Sequence, residues 1–361
     1  MRATFPYMGN IYIPLRTIFK NLGIEPIIPP PYNQETLTMG AKLAPELICI
    51  PFKLTLGNII NALQQGADTV IHTSGRWSCR YGYYPFLSGI ILRDLGFKFR
   101  QIVLRRDNLL EIVKILKEIH PNYTTIIRKI IRAFSLGYEK SKTLEKLERL
   151  AFFIRPREKN TGETSRYLRY YLTNLDKAKR SQEVRNLFTE ARKKMRSLPQ
   201  KEIKGIRVKI VGESFCVIEP FVNFNLLEKL GEMEIEVDPF LTAHRWLGFH
   251  SLRLGRSEVK EVGHLAETYW PFCVGGEDKN TIGYSIKAAK DNYDGIIHLH
   301  PFACMPHTSC GSSLERISRD YNIPVLSLSL DEFTQEASFY NRVEAFVELL
   351  KRKKTRLERP R

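Results

Sequence analysis

Residues 294–310 read DGIIHLHPFACMPHTSC. A run that is apolar from Gly295 to Leu299 meets Pro301, Phe302 and Pro306 as it reaches two thiols, Cys304 and Cys310. An apolar run closing in a proline-rich turn is the pattern of a buried parallel strand that arrives at the edge where open α/β sheets hold ligands. Two readings of the thiols stand side by side. They are either ligands of a metal or iron–sulfur site completed by cysteines elsewhere, or small apolar residues of a core, where free cysteine is common. The histidines open a third reading. His298 and His300 are two apart on a strand and face one side, and with His307 and Cys304 they offer a zinc site of mixed ligands.

On the C-terminal side of the chain this stretch is preceded by RVKIVG (residues 207–212), which reads as a strand. The turn ESFCVIEP follows with Cys216, then a helix in VNFNLLEKLG and a strand over 234–237. Cys273 sits in WPFC, inside a segment of loop and helix. After the thiols come a helix over 312–321, a strand over 324–328 and a last helix to about residue 350. The N-terminal part has the same rhythm: strands over 3–7, 25–28, 46–50, 68–73 and 99–104, with short helices between them and a loop in PPPYNQETLTMG. Cys49 and Cys79 fall just past the ends of two of these strands. Strand, helix and strand at this spacing predict an α/β fold of two parallel-sheet domains. The expected limits are 1–107 and 205–350, with a helical insert over 108–204 and a tail over 351–361.

At 361 residues the chain is long enough for two domains with their own cores. Its +17 formal charge is uneven. Residues 128–209 hold 24 Lys or Arg against 9 Asp or Glu, the tail holds seven against one, and the rest of the chain is left at −4. The basic character therefore belongs to the insert and tail. The insert's helices interleave aromatics with their cations. They read as packing an apolar stripe and solvating a basic face, with a nucleic-acid surface as the alternative. No apolar run nears the ~20 residues of a membrane span, and the first residues lack a signal-peptide pattern, so a cytoplasmic location is expected. Its six cysteines are widely spaced, with no CxxC, so neither a disulfide framework nor a zinc ribbon is indicated. GxGxxG, Walker A and GxSxG motifs are absent as well, which removes dinucleotide, ATP-hydrolysing and serine-hydrolase readings.

Several of these segments resemble a known family. In the first part they are Phe5-Pro6, C-x-P-x-K-x-x-x-G-N from Cys49 to Asn58, GADTVI-x-x-x-G-x-x-x-C-R-x-G-Y-Y ending at Tyr84, and ILR-x-LG from Ile91 to Gly96. In the second they are VGE and PFVNFNL, DGIIHL-x-PF-x-CMP ending at Pro306, and IPVL-x-L-x-x-DE-x-T-x-EA ending at Ala337. The chain is similar here to the 2-hydroxyacyl-CoA dehydratase-like family, in particular its acyl-CoA dehydratase activase-related branch. The resemblance covers most of 1–105 and 205–350. It implies two Rossmann-like domains and an iron–sulfur cofactor, either a [4Fe–4S] cluster or a double cubane. It also implies a low-potential electron received from a separate ATP-dependent activase-type reductase with its own cluster, a 2-hydroxyacyl-CoA dehydratase-like or other reductive reaction, and a homodimer. Cys49, Cys79 and Cys304 match the family's cysteine positions. Cys216, Cys273 and Cys310 depart from them and stand as further candidate ligands.

Overall fold

Sheet-forming runs and amphipathic helices alternate in both parts of the chain, and such alternation yields parallel pairing because each helix crosses back before the next strand begins. The computed structural model of the protein describes residues 1–74, 79–104, 109–120, 122–248 and 256–358. Its elements run β1 (Arg2–Thr4), α1 (Tyr12–Leu22), β2 (Glu25–Pro26), α2 (Gln34–Leu43), α3 (Ile50–Gln64), β3 (Thr69–Thr73), α4 (Tyr84–Asp94), β4 (Arg100–Leu104) and α5 (Leu109–Ile119). Three long helices follow: α6 (Tyr123–Ile154), α7 (Glu163–Lys177) and α8 (Ser181–Arg196). The remainder is β5 (Ile206–Gly212), α9 (Ser214–Ile218), α10 (Leu226–Glu232), β6 (Ile235–Pro239), α11 (Ala243–Leu247), α12 (Arg256–Ala266), α13 (Asp278–Lys290), β7 (Gly295–Pro301), α14 (Met305–Ser309), α15 (Gly311–Asp320), β8 (Val325–Leu330) and α16 (Glu336–Glu358).

The chain divides into two units, Met1–Thr143 with Leu175–Arg185, and Leu144–Asn174 with Asn186–Arg361. The helices of residues 108–204 are thus shared out between them, and the expected limit at 107/108 lies outside the described residues. Each unit is built on one four-stranded parallel sheet, ordered β2-β1-β3-β4 in the first and β6-β5-β7-β8 in the second. The two orders are the same topology. In each, the direction of winding reverses between the first and third strands of the unit, which opens a crevice at the carboxyl ends of those strands. The fold class is therefore two Rossmann-like α/β domains with added helices.

In the first unit α3 is the buried helix. Phe52, Leu56, Ile59 and Ile60 pack with Val70, Tyr84 and Leu92, each such side chain worth roughly 1.5–3 kcal/mol on burial. Helices α2 and α3 cross at their backbones, since a Cβ on Gly57 would lie 2.2 Å from the carbonyl oxygen of Thr36. That crossing corrects two expectations. Residues 29–40 were expected as loop, but Asn33 caps α2 by accepting from the amide of Thr36 at 2.9 Å. Residues 46–50 were expected as a strand, but the chain turns at Leu47 (φ +57°) and Cys49 leads straight into α3. A short apolar run reads alike for a buried strand and a buried helix start, and Pro51 in the first turn decides for the helix.

In the second unit Ile282, Ile286, Leu314 and Ile317 form a cluster beside β8 that encloses Cys310. Gly212 ends β5 at φ +134°, with its Cα so close to β7 that a Cβ would stand 1.9 Å from the Leu299 carbonyl oxygen. The C-terminal helix runs on to Glu358, beyond the expected stop at 350, and Lys354 pairs with Asp294 at 3.0 Å. Lys and Arg are good helix formers and suit a helix C-terminus. Nor are all of the insert's cations solvated. Lys140 is fully buried, donating to Thr17 Oγ1 at 2.9 Å and to the Asp176 carbonyl at 2.8 Å, and burial lowers its ammonium to about 8. No helix among the described residues is long and apolar enough to cross a membrane.

Candidate functional site

A helix that leads into a parallel strand starts at the edge where the preceding strand ended, so α3 begins at the carboxyl edge of the first sheet. Cys49 stands at that start as the residue before α3, extended at φ −63° and ψ 146°, and buried. The partial positive charge at the end of this fifteen-residue helix favours an anion. Cys79 follows β3 and holds the same extended form (φ −63°, ψ 135°) ahead of a single 3-10 turn, Arg80–Tyr83, that opens α4. The two segments are tied together. Arg80 donates through Nη1 to the Leu47 carbonyl at 2.7 Å, and Cys49 Sγ lies 3.0 Å from Tyr84 Oη, one turn past Cys79. Leu47, Tyr83 and Phe86, near these thiols in sequence, are exposed. Below them in β3, His72 is buried, 3.4 Å from Ser88 Oγ, and burial lowers its imidazole to about 4.

The second unit repeats the pattern at β7. The strand ends at Pro301, the chain turns through Ala303 at φ +56°, and Cys304 precedes α14 with its amide donating to the Pro301 carbonyl at 3.1 Å. A non-glycine residue in the left-handed region stores strain of about 1–3 kcal/mol. Leu47 and Ala303 carry it at matching places, two residues and one residue ahead of a thiol. Phe302 and Met305 flank Cys304 and are exposed. Next to this edge, past β8, a cleft is lined by Ser329, Phe333, Gln335 and Arg342.

The remaining thiols differ in setting. Cys216 is fully buried in α9, its amide donating at 3.0 Å to the carboxylate of Glu213. Glu213 is half-buried; desolvation, with Glu277 adding, pushes its carboxyl up. Cys310 has no exposure, and burial raises its thiol to about 12. Cys273 is exposed, 3.8 Å from Asp278 Oδ1.

His298, His300 and His307 gather as expected, but they bind one another instead of opening to a common point. His298 Nε2 meets His307 Nδ1 at 3.1 Å, and the rings of His298 and His300 stack at 4.7 Å. Among the described residues no group of three or more His, Cys, Asp or Glu is arranged to hold a metal ion. The zinc reading on His298, His300 and Cys304 loses its geometric support there. Within the first unit the structure does bring the segments of Cys49 and Cys79 together. Sequence reasoning missed Tyr84, Arg80, Glu213 and Ser327. Tyr84 and Arg80 had a signal, since both belong to the C-R-x-G-Y-Y segment, as Glu213 does to VGE, whereas Ser327 reaches the site only through the fold.

Two family models match the chain. One, described as 2-hydroxyglutaryl-CoA dehydratase, D-component, matches residues 98–350. The other, described as a CoA enzyme activase uncharacterised domain, matches residues 7–74. No curated protein matches.

Proposed function

The chain belongs to the 2-hydroxyglutaryl-CoA dehydratase D-component family, a family of dehydratase-type enzymes, and from that premise we propose that it is the iron–sulfur component of such an enzyme. It accepts a low-potential electron from an ATP-dependent activase-type partner and uses it on a 2-hydroxyacyl-CoA or a related reducible substrate. Cys49, Cys79 and Cys304 are the thiolate ligands. The observation that carries this reading is their shared setting: each precedes a helical turn at the carboxyl edge of a parallel sheet, next to exposed apolar side chains.

The chemistry of the donors, not a preformed cluster of them among the described residues, suits an iron–sulfur group. Thiolates are the soft ligands such clusters take, and Tyr84 places a hydroxyl on Cys49 Sγ, the kind of contact that tunes cluster sulfur. The strained turns at Leu47 and Ala303 and the prolines beside the thiols fix the ligand backbone before any group arrives, so less entropy is lost on binding. A bound cluster supplies one-electron chemistry at low potential. The chain's own residues hold the thiols, place exposed apolar side chains beside them in sequence, and set hydrogen bonds around them. Burial of Cys216 and Cys310 in packed surroundings supports a core role for both.

The test is anaerobic purification followed by dithionite reduction and electron paramagnetic resonance. The proposal expects a cluster signal that Cys49→Ser, Cys79→Ser and Cys304→Ser each abolish or change, and that Cys310→Ala leaves alone. A protein that gives no signal after anaerobic reconstitution contradicts it.

A further inference from the structure

The three histidines of the second unit are wired in one direction. His300 Nδ1 lies 3.1 Å from the Pro301 carbonyl oxygen, which only accepts, so Nδ1 carries the proton. Burial holds His300 below its ordinary value, keeps His298 well below it, and takes His307 to about 3, so all three rings are neutral. A neutral His300 protonated at Nδ1 has a lone pair at Nε2, and the Ser327 hydroxyl, 3.3 Å away, donates to it. Having spent its one proton, Ser327 Oγ accepts from His298 Nδ1 at 3.0 Å. His298 Nε2 is then the acceptor for His307 Nδ1–H at 3.1 Å. The chain of bonds ends on the lone pair of His307 Nε2, which is buried and has no hydrogen-bond partner among the described residues. An orphaned buried acceptor is destabilising, and here the backbone carbonyl of Pro301 dictates it through four links.

We propose that His307, His298, Ser327 and His300 form a proton relay, with His307 Nε2 as the buried receiving atom and half-buried His300 as the outer end. A proton given up to His307 Nε2 by an O–H, N–H or S–H acid leaves that acid as its conjugate base. The Nδ1 proton of His307 passes to His298 Nε2, that of His298 Nδ1 to Ser327 Oγ, and the hydroxyl proton of Ser327 to His300 Nε2. His300 then holds two N–H groups, one on the Pro301 carbonyl and one on the Ser327 oxygen, so every link stays bonded. No electron moves. Run backward, the same hops return the proton through His307, and the relay stores one proton and gives it back. A dehydration supplies a proton to the departing hydroxyl, which is the use such a store suits. That assignment of use rests on the proposed function, while the relay rests on the geometry alone.

Nuclear magnetic resonance of the full chain with 15N-labelled histidine tests it. The expected resting state has the proton on Nδ1 of His298, His300 and His307, and the His307 ring proton exchanges with deuterium at a measurable rate. Ser327→Val, at an exposed strand position, slows that exchange tenfold or more, and His300→Leu does the same as an independent break in the path. A proton on Nε2 of His307 in the resting protein overturns the relay, as does exchange unchanged in both variants. An iron-free protein that still shows the wiring would sink the proposed function and leave the relay standing.

Discussion

Cys49 Sγ lies 3.0 Å from the phenolic oxygen of Tyr84, and this contact joins the start of α3 to the start of α4 across the edge of the first sheet. Tyr84 is itself buried, with its ring 4.9 Å from Phe52, so the hydroxyl is held in place by packing. Were Cys49 a ligand thiolate, as proposed, the phenol would be the donor, and a donor to sulfur favours the more negative, reduced state of whatever the sulfur binds.

Tyr84→Phe keeps the ring and removes only that donor. A hydrogen bond to a charged group is worth about 1.5 kcal/mol, which is roughly 60 mV for one electron. The midpoint potential of the reconstituted protein should therefore fall by tens of millivolts in a redox titration. An unchanged potential would show that the hydroxyl does not address a ligand sulfur.

Cys304 and Cys310 are six residues apart and should respond differently. Cys304→Ser is expected to lower iron content with little change in unfolding free energy. Cys310→Ser places a hydroxyl in the cluster of Ile282, Leu314 and Ile317 and should cost about 1–3 kcal/mol of stability at unchanged iron content. Denaturant titration beside iron analysis separates the two, and equal loss of iron from both would bring Cys310 into the ligand set.

His72 makes the first unit sensitive to acid. Its folded value, about 4, lies below the ordinary 6.5 because burial penalises the imidazolium. The unfolded chain therefore takes up the proton first as pH falls. The stabilisation is complete above 6.5 and is lost between 6.5 and about 4, amounting to about 3 kcal/mol at most. His72→Leu should flatten this part of the stability profile measured by denaturant titration at successive pH values. A variant whose profile overlays the parent's would remove His72 as the cause.

Gly212→Ala should destabilise the second unit by about 3 kcal/mol or more, since its φ is closed to side chains and the methyl meets the Leu299 carbonyl. Gly96→Ala is the control. It shares a positive φ but meets nothing within 4 Å, and should cost about 1 kcal/mol. Thermal melting of both variants decides, and equal losses would mean that the close approach of β5 and β7 is not what fixes this glycine.

Most of the parallel strands were legible because apolar runs bounded by glycine and proline survive as local signals. The focal strand was read to within two residues of β7. Helix α2 was not legible as a helix, since three prolines and Gly40 mask a cap that depends on Asn33 and a packing face that depends on Gly57 of another helix. The thiol positions were legible, but their settings were not. The same residue type is a half-exposed helix-edge group at Cys79 and a sealed core group at Cys310, a difference made by partners far along the chain. The facing of His298 and His300 follows from strand parity. The link to Ser327 does not, because it depends on the register of β7 against β8.

The most direct measurement is iron and acid-labile sulfide per chain on anaerobically prepared protein, beside the same assay on the Cys49→Ser, Cys79→Ser and Cys304→Ser variants. The account predicts about four irons, or about eight for a double cubane, with matching sulfide in the parent and a marked loss in each variant. Iron and sulfide absent from the parent after reconstitution, or unchanged in all three variants, would contradict it.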